Sequence, residues 1–96
     1  MLDKVKLALR ISHNLLDSDI NDTIETARAE MIRSGVSYDV AYGSNALIET
    51  AIKTYCRAAY ANDEKRAEGF MTSWQYQLDN IRKSSFEEDE QCTIKS

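Results

Sequence analysis

The chain has 96 residues and a formal net charge of −4, which bounds it to one small domain able to bury roughly 60–65% of its unfolded surface. The run EEDE at residues 87–90, offset by Lys95, carries −3 of that charge, so residues 1–84 hold 11 basic and 12 acidic side chains. A body so nearly neutral excludes a protein that grips nucleic-acid phosphates through a dense basic face.

Proline is absent and glycine occurs three times, while apolar residues recur at spacings of three and four. That is the pattern of an all-α chain, a small bundle of about four helices. The first helix is expected from about Asp3 to Arg10, with Leu2, Val5 and Leu9 on one side. Its charges are interleaved with apolar residues, so no secretory signal is expected. The polar SHN then breaks the pattern, and Asp17 or Ser18 caps a second helix running to about Ser34. Its stripe is Ile20, Ile24, Ala27 and Met31, and Gly35 stands where a positive φ is cheap for glycine.

Residues 36–44 (VSYDVAYGS) are too short and mixed for a long helix and read as a loop or a helical turn carrying Tyr38 and Tyr42. Asn45 or Ser44 caps a third helix to about Ala61. Leu47, Ile48, Ala51, Ile52, Tyr55, Ala58 and Ala59 form its wide apolar arc, which marks it as the central helix. NDEK at residues 62–65 turns the chain into a fourth helix, about Glu64 to Lys83, antiparallel to the third. Periodicity stops at Ser84, dividing the chain into a helical domain, 1–84, and an acidic tail, 85–96.

No stretch approaches the roughly 18 apolar residues needed to span a membrane, and no membrane role is expected. Cys56 lies in a predicted helix and Cys92 in the tail, without a CxxC pair. Reduced thiols in a cytoplasmic setting follow, and Cys56 needs no role beyond that of a small buried hydrophobe.

Three features resemble chemistry and fall short of it. DSDIND at residues 17–22 offers Asp17, Asp19 and Asn21 at the first three ligand positions of a calcium loop. Asp22 and Arg28, however, occupy the places of its glycine and bidentate glutamate. These acids are better placed as helix-terminus charges. His13, the lone histidine, has no second member of a catalytic set near it and no Gly-rich phosphate loop elsewhere. Lys53 and Arg57, and Lys65, Arg66, Arg82 and Lys83, are interleaved with Glu49, Asp63, Glu64, Glu68 and Asp79, a solvated mixed-charge face rather than a DNA footprint. No catalytic residue, metal or cofactor is expected.

The fourth helix has two distinct sides. At 100° per residue, Ala67, Phe70, Met71, Trp74, Leu78 and Ile81 share an arc about 100° wide, an ordinary core stripe. Phe70 and Trp74 read as packing anchors against the third helix. Gly69, Ser73, Tyr76 and Asn80 lie roughly opposite, where the core does not require them. A mid-helix glycine costs about 1 kcal/mol relative to alanine and asks for a packing reason. An exposed tyrosine beside a tolerated glycine would account for the same residues.

LALRISHNLLDSDINDTIETARAEMIRSGV followed by NALIETAIKTYCRAAYANDEKRAEGFMTSWQYQLDNIRKSSF resembles the small head-to-tail connector (DNA packaging adaptor) proteins of long-tailed double-stranded DNA phages and prophages. The elements that carry the likeness are Leu9, Arg10 and Ile11 ahead of an acidic stretch, the second helix ending in Gly35, NALIETAI opening the third helix, and the aromatic fourth helix ending LDNIRK. It covers roughly residues 2–86 and stops at the tail.

The resemblance implies an all-helical structural protein that forms a ring of about a dozen copies. The implied ring sits beneath the portal protein at the packaging vertex, with tail-completion proteins below. The implied location is the virion head–tail junction, after assembly in the host cytoplasm. DNA would pass through without specific binding, which suits a weakly basic surface. A ring needs one patch of a subunit to meet a different patch on the next. Gly69, Ser73, Tyr76 and Asn80 are candidates for one patch, and Tyr38 and Tyr42 for the other. The competing reading is a small helical regulator that binds DNA or a partner protein through a helix-turn-helix-like pair; the near-neutral body counts against it. An enzyme is weaker still for want of a site.

Overall fold

The computed structural model describes residues 1–95, with side chains described over residues 1–83. Five helices follow one another: α1 Leu2–Leu9, α2 Asp17–Arg33, α3 Tyr38–Ala41, α4 Ala46–Ala59 and α5 Glu64–Lys95, with no strand among the described residues. Helix α4 is central: α1, α2 and α5 all pack on it, and α3 packs on α2.

The apolar spacing explains why. α2 buries Ile20, Ile24, Ala27 and Met31, each three or four residues after the last, while α4 buries Ile48, Ala51, Ile52 and Cys56, and α5 buries Trp74, Leu78 and Ile81. Val5 of α1, Val36 and Ala41 complete this core. Two residues at the margins of the expected arcs lie outside it: Leu47 is 52% exposed and Met71 38%. Each lies at the edge of its helix's apolar arc and is only partly covered, so apolarity alone does not draw it in. Ala59 is also exposed. Thr54 is buried instead, its hydroxyl donating to the Thr50 carbonyl at 3.0 Å, which satisfies the polar group within the helix.

The helix ends are chemically specified. α2 closes in a Schellman arrangement, with Gly35 N–H donating to Ile32 O and Val36 N–H to Met31 O, both at 3.0 Å. Gly35 has φ 110° there, and the flanking Met31 and Val36 are both buried. Asn45 caps α4, its Oδ1 accepting from Leu47 N–H at 2.7 Å. Ser37 Oγ accepts from Val40 N–H at 3.3 Å to start α3. Asp63 Oδ1 accepts from Arg66 N–H at 2.8 Å to start α5.

Two boundaries differ from expectation. The residue capping α2 is Leu16, without a side-chain cap, rather than Asp17 or Ser18. Asp17 is drawn away by Lys6 of α1, whose ammonium lies 2.8 Å from Asp17 Oδ1 and also donates to Asn14 Oδ1 at 2.8 Å. Helix α5 continues past Lys83 to Lys95, across the expected boundary between domain and tail. No glycine or proline follows Gly69, and Glu and Gln are good helix formers, so losing the apolar stripe does not end the helix. What the acidic side chains at 87–90 contact lies outside the described side chains. At 1.5 Å per residue α5 is about 48 Å long and sets the 50 Å long axis of the molecule.

Candidate functional site

The α5 face opposite the core is open. Gly69, Ser73, Tyr76 and Asn80 are all exposed, Tyr76 by 74%. A Cβ placed on Gly69 would meet no atom within 4 Å. Among the described residues no contact therefore explains a glycine inside this helix, where alanine would be better by about 1 kcal/mol.

The tyrosine pair forms a built surface rather than two loose rings. Tyr38 opens α3 and Tyr42 caps it one turn later, so their rings face the same way. They stack with centroids 4.5 Å apart and planes inclined by 26°. The Arg28 guanidinium carbon lies 5.1 Å from the Tyr42 centroid, within cation–π range. Arg28 Nη1 also donates to the Ala41 carbonyl at 2.8 Å, which ties α3 to α2. The Tyr42 hydroxyl reaches Glu25 Oε1 at 3.5 Å, and burial, followed by the Glu25 charge, raises its pKa. Even so, Tyr38 is 65% exposed and Tyr42 40%. The pair rides on α2, whereas the α5 face turns away from α4, so the six candidate residues form two separate surfaces.

The remaining chemically suggestive groups are engaged locally. Asp17 pairs with Lys6, and Asp19 Oδ2 accepts from the Tyr60 hydroxyl at 2.7 Å. That bond ties the end of α4 to the start of α2. His13 is exposed, and its Nδ1 accepts from Leu15 N–H at 3.3 Å in the α1–α2 loop. Cys56 is fully buried, and burial pushes its thiol up to about 11, the signature of an inert structural cysteine. Among the described residues, no three of His, Cys, Asp or Glu are grouped to hold a metal ion, and no helix is long and apolar enough to cross a membrane.

Sequence reasoning overlooked Leu7 and Leu15, which are the most exposed large apolar side chains described. Leu7 lies off the Leu2, Val5, Leu9 stripe, and that offset was the available signal. It also overlooked the grouping of Arg10, Arg57 and Arg66, which are far apart in the chain and meet only through the packing of α1, α4 and α5.

No curated protein and no solved structure matches the chain. A family model described as phage connector protein matches residues 1–87, a span that takes in the whole five-helix core. The chain belongs to the phage connector protein family.

Proposed function

We propose that this phage connector protein forms a ring of about a dozen copies at the head–tail junction of a long-tailed double-stranded DNA phage or prophage. The ring lies beneath the portal protein and is linked below to tail-completion proteins. It assembles in the host cytoplasm and remains in the virion. The observation that carries this reading is the presence of two unlike exposed surfaces: the Tyr38–Tyr42 stack held by Arg28, and the α5 face around Gly69 and Tyr76. A cyclic assembly needs such a pair, because one patch must meet a different patch on the next copy. Tyrosine suits the role, having a rigid ring and a polar tip.

The role is structural rather than catalytic. DNA passes along the assembly without specific binding, a property favoured by the balance of 11 basic and 12 acidic residues over positions 1–84. Light scattering on the purified protein, alone and mixed with its portal protein, tests the proposal. A multimer, alone or on the portal, is the expected result. A chain that stays monomeric and ignores the portal overturns it.

A further inference from the structure

A cleft of about 600 Å³ opens where the ends of α1 and α4 meet the start of α5. Arg10, Arg57 and Arg66 line it together with Tyr60, Asn62 and Phe70, and no carboxylate is among its lining residues. Each arginine comes from a different helix end: the residue capping α1, the last turn of α4 and the first turn of α5. All three are exposed, and among the described residues none of them enters an ion pair. Two acids bonded to lining residues are engaged there: Asp19 accepts from the Tyr60 hydroxyl, and Asp63 from the Arg66 N–H. Three guanidinium groups gathered over a partly apolar floor repel one another and are matched by an anionic partner with several carboxylates.

The chain carries such a partner. Glu87, Glu88, Asp89 and Glu90 form its longest run of consecutive acidic residues. They lie on α5, the helix that also carries Arg66. A separation of 21–24 residues puts them about 30–36 Å along that helix from Arg66, out of reach of the cleft on their own copy. We propose that the arginine cleft of one copy receives the acidic run of a neighbouring copy. The contact joins unlike surfaces, as a ring requires, and it rests on the ring reading above, to which it adds the charge-paired part of the subunit contact. Arginine forks and carboxylates give this contact direction, and screening by salt weakens it.

Charge reversal on the full-length chain tests it. One variant combines Arg10→Glu, Arg57→Glu and Arg66→Glu; the other combines Glu87→Lys, Glu88→Lys, Asp89→Lys and Glu90→Lys. Circular dichroism checks the fold, and sedimentation velocity at low salt measures association, alone and on the portal protein. Each variant alone is expected to associate about tenfold more weakly than the wild type or worse, and an equimolar mixture of the two to recover much of the loss. If the triple arginine variant does not fold, Arg66→Gln alone is expected to weaken association several-fold.

The inference is overturned if the variants assemble like the wild type. It is equally overturned if the mixture does no better than either variant alone, which would assign the cleft to the portal or to another acidic partner. The two readings fail separately. Variants that still mount normally on the portal end the cleft proposal and leave the connector role standing, whereas a wild type that never mounts ends the connector role itself.

Discussion

Trp74 meets Tyr55 edge-on, with ring centroids 4.9 Å apart and planes inclined by 63°, the arrangement that aromatic quadrupoles favour. This contact clamps α5 to α4, and Trp74 is the largest fully buried side chain described. Trp74→Ala is expected to cost about 3–5 kcal/mol, much of the stability of a domain this size. Thermal or urea melts measure it, and a variant melting within a couple of degrees of the wild type would show that the clamp is dispensable.

Gly69 separates stability from assembly. Because a Cβ there meets nothing within 4 Å, Gly69→Ala is expected to stabilise the free subunit by about 1 kcal/mol through helix propensity alone. Gly69→Leu is expected to keep the fold and impair assembly, and Tyr76→Ala to do the same by removing the exposed ring. Urea melts and portal co-sedimentation read the two effects. Normal assembly by both Gly69→Leu and Tyr76→Ala would make this face ordinary surface.

Gly35 is constrained in the opposite sense. Its φ of 110° closes the Schellman turn, while the space around a Cβ is adequate, the nearest atom being Arg82 Nε at 3.7 Å. Gly35→Ala is therefore expected to destabilise by about 1–2 kcal/mol through backbone strain and not through crowding. Chemical denaturation checks the magnitude. An unchanged midpoint would remove strain as the reason for the glycine.

Burial holds the Cys56 thiol protonated up to about pH 11, whereas an unfolded cysteine titrates near pH 8.5. The raised native pKa means that its contribution is fully present below about pH 8.5 and is lost as pH rises toward 11. Across that window the unfolded chain releases the proton and the native chain keeps it, so stability falls on the order of 1 kcal/mol per pH unit. In a Cys92→Ser background, Cys56→Ala should flatten this decline. A disulfide-exchange reagent at pH 8 should label native Cys56 only as fast as the protein opens, and rapid labelling without denaturant would contradict its burial.

Legibility in the sequence followed locality. Asn45 and Gly35 act within four residues of themselves; residue type alone places Gly35, and narrows the α4 cap to Asn45 or Ser44, of which the structure uses Asn45. The Tyr38–Tyr42 stack was half legible, since spacing puts the rings on one side but does not reveal Arg28 beneath them. The start of α2 was misplaced because Lys6, eleven positions away, competes for Asp17. Periodicity puts Leu47 and Met71 in the buried arcs, yet each lies at the margin of its arc and is only partly covered. The arginine cleft was invisible in one dimension: Arg10, Arg57 and Arg66 show no common period, and Arg66 sits among Asp63, Glu64 and Glu68 in sequence. Only the convergence of three helix ends assembles them.

The central place of α4 has a geometric consequence for the proposed ring. Copies that meet through unlike surfaces close into a circle only if those surfaces are inclined by the right angle, roughly 30° for about a dozen members. Helix α4 packs on both α2, against which α3 and its tyrosines lie, and α5, which carries the second candidate face. Its Ile48, Ala51 and Ile52 fill the space between them. Those side chains thus act as the spine of a wedge. Resizing one of them would leave both contact surfaces chemically intact yet change the taper, so the same protein would wind into an open spiral or close with a different number of members.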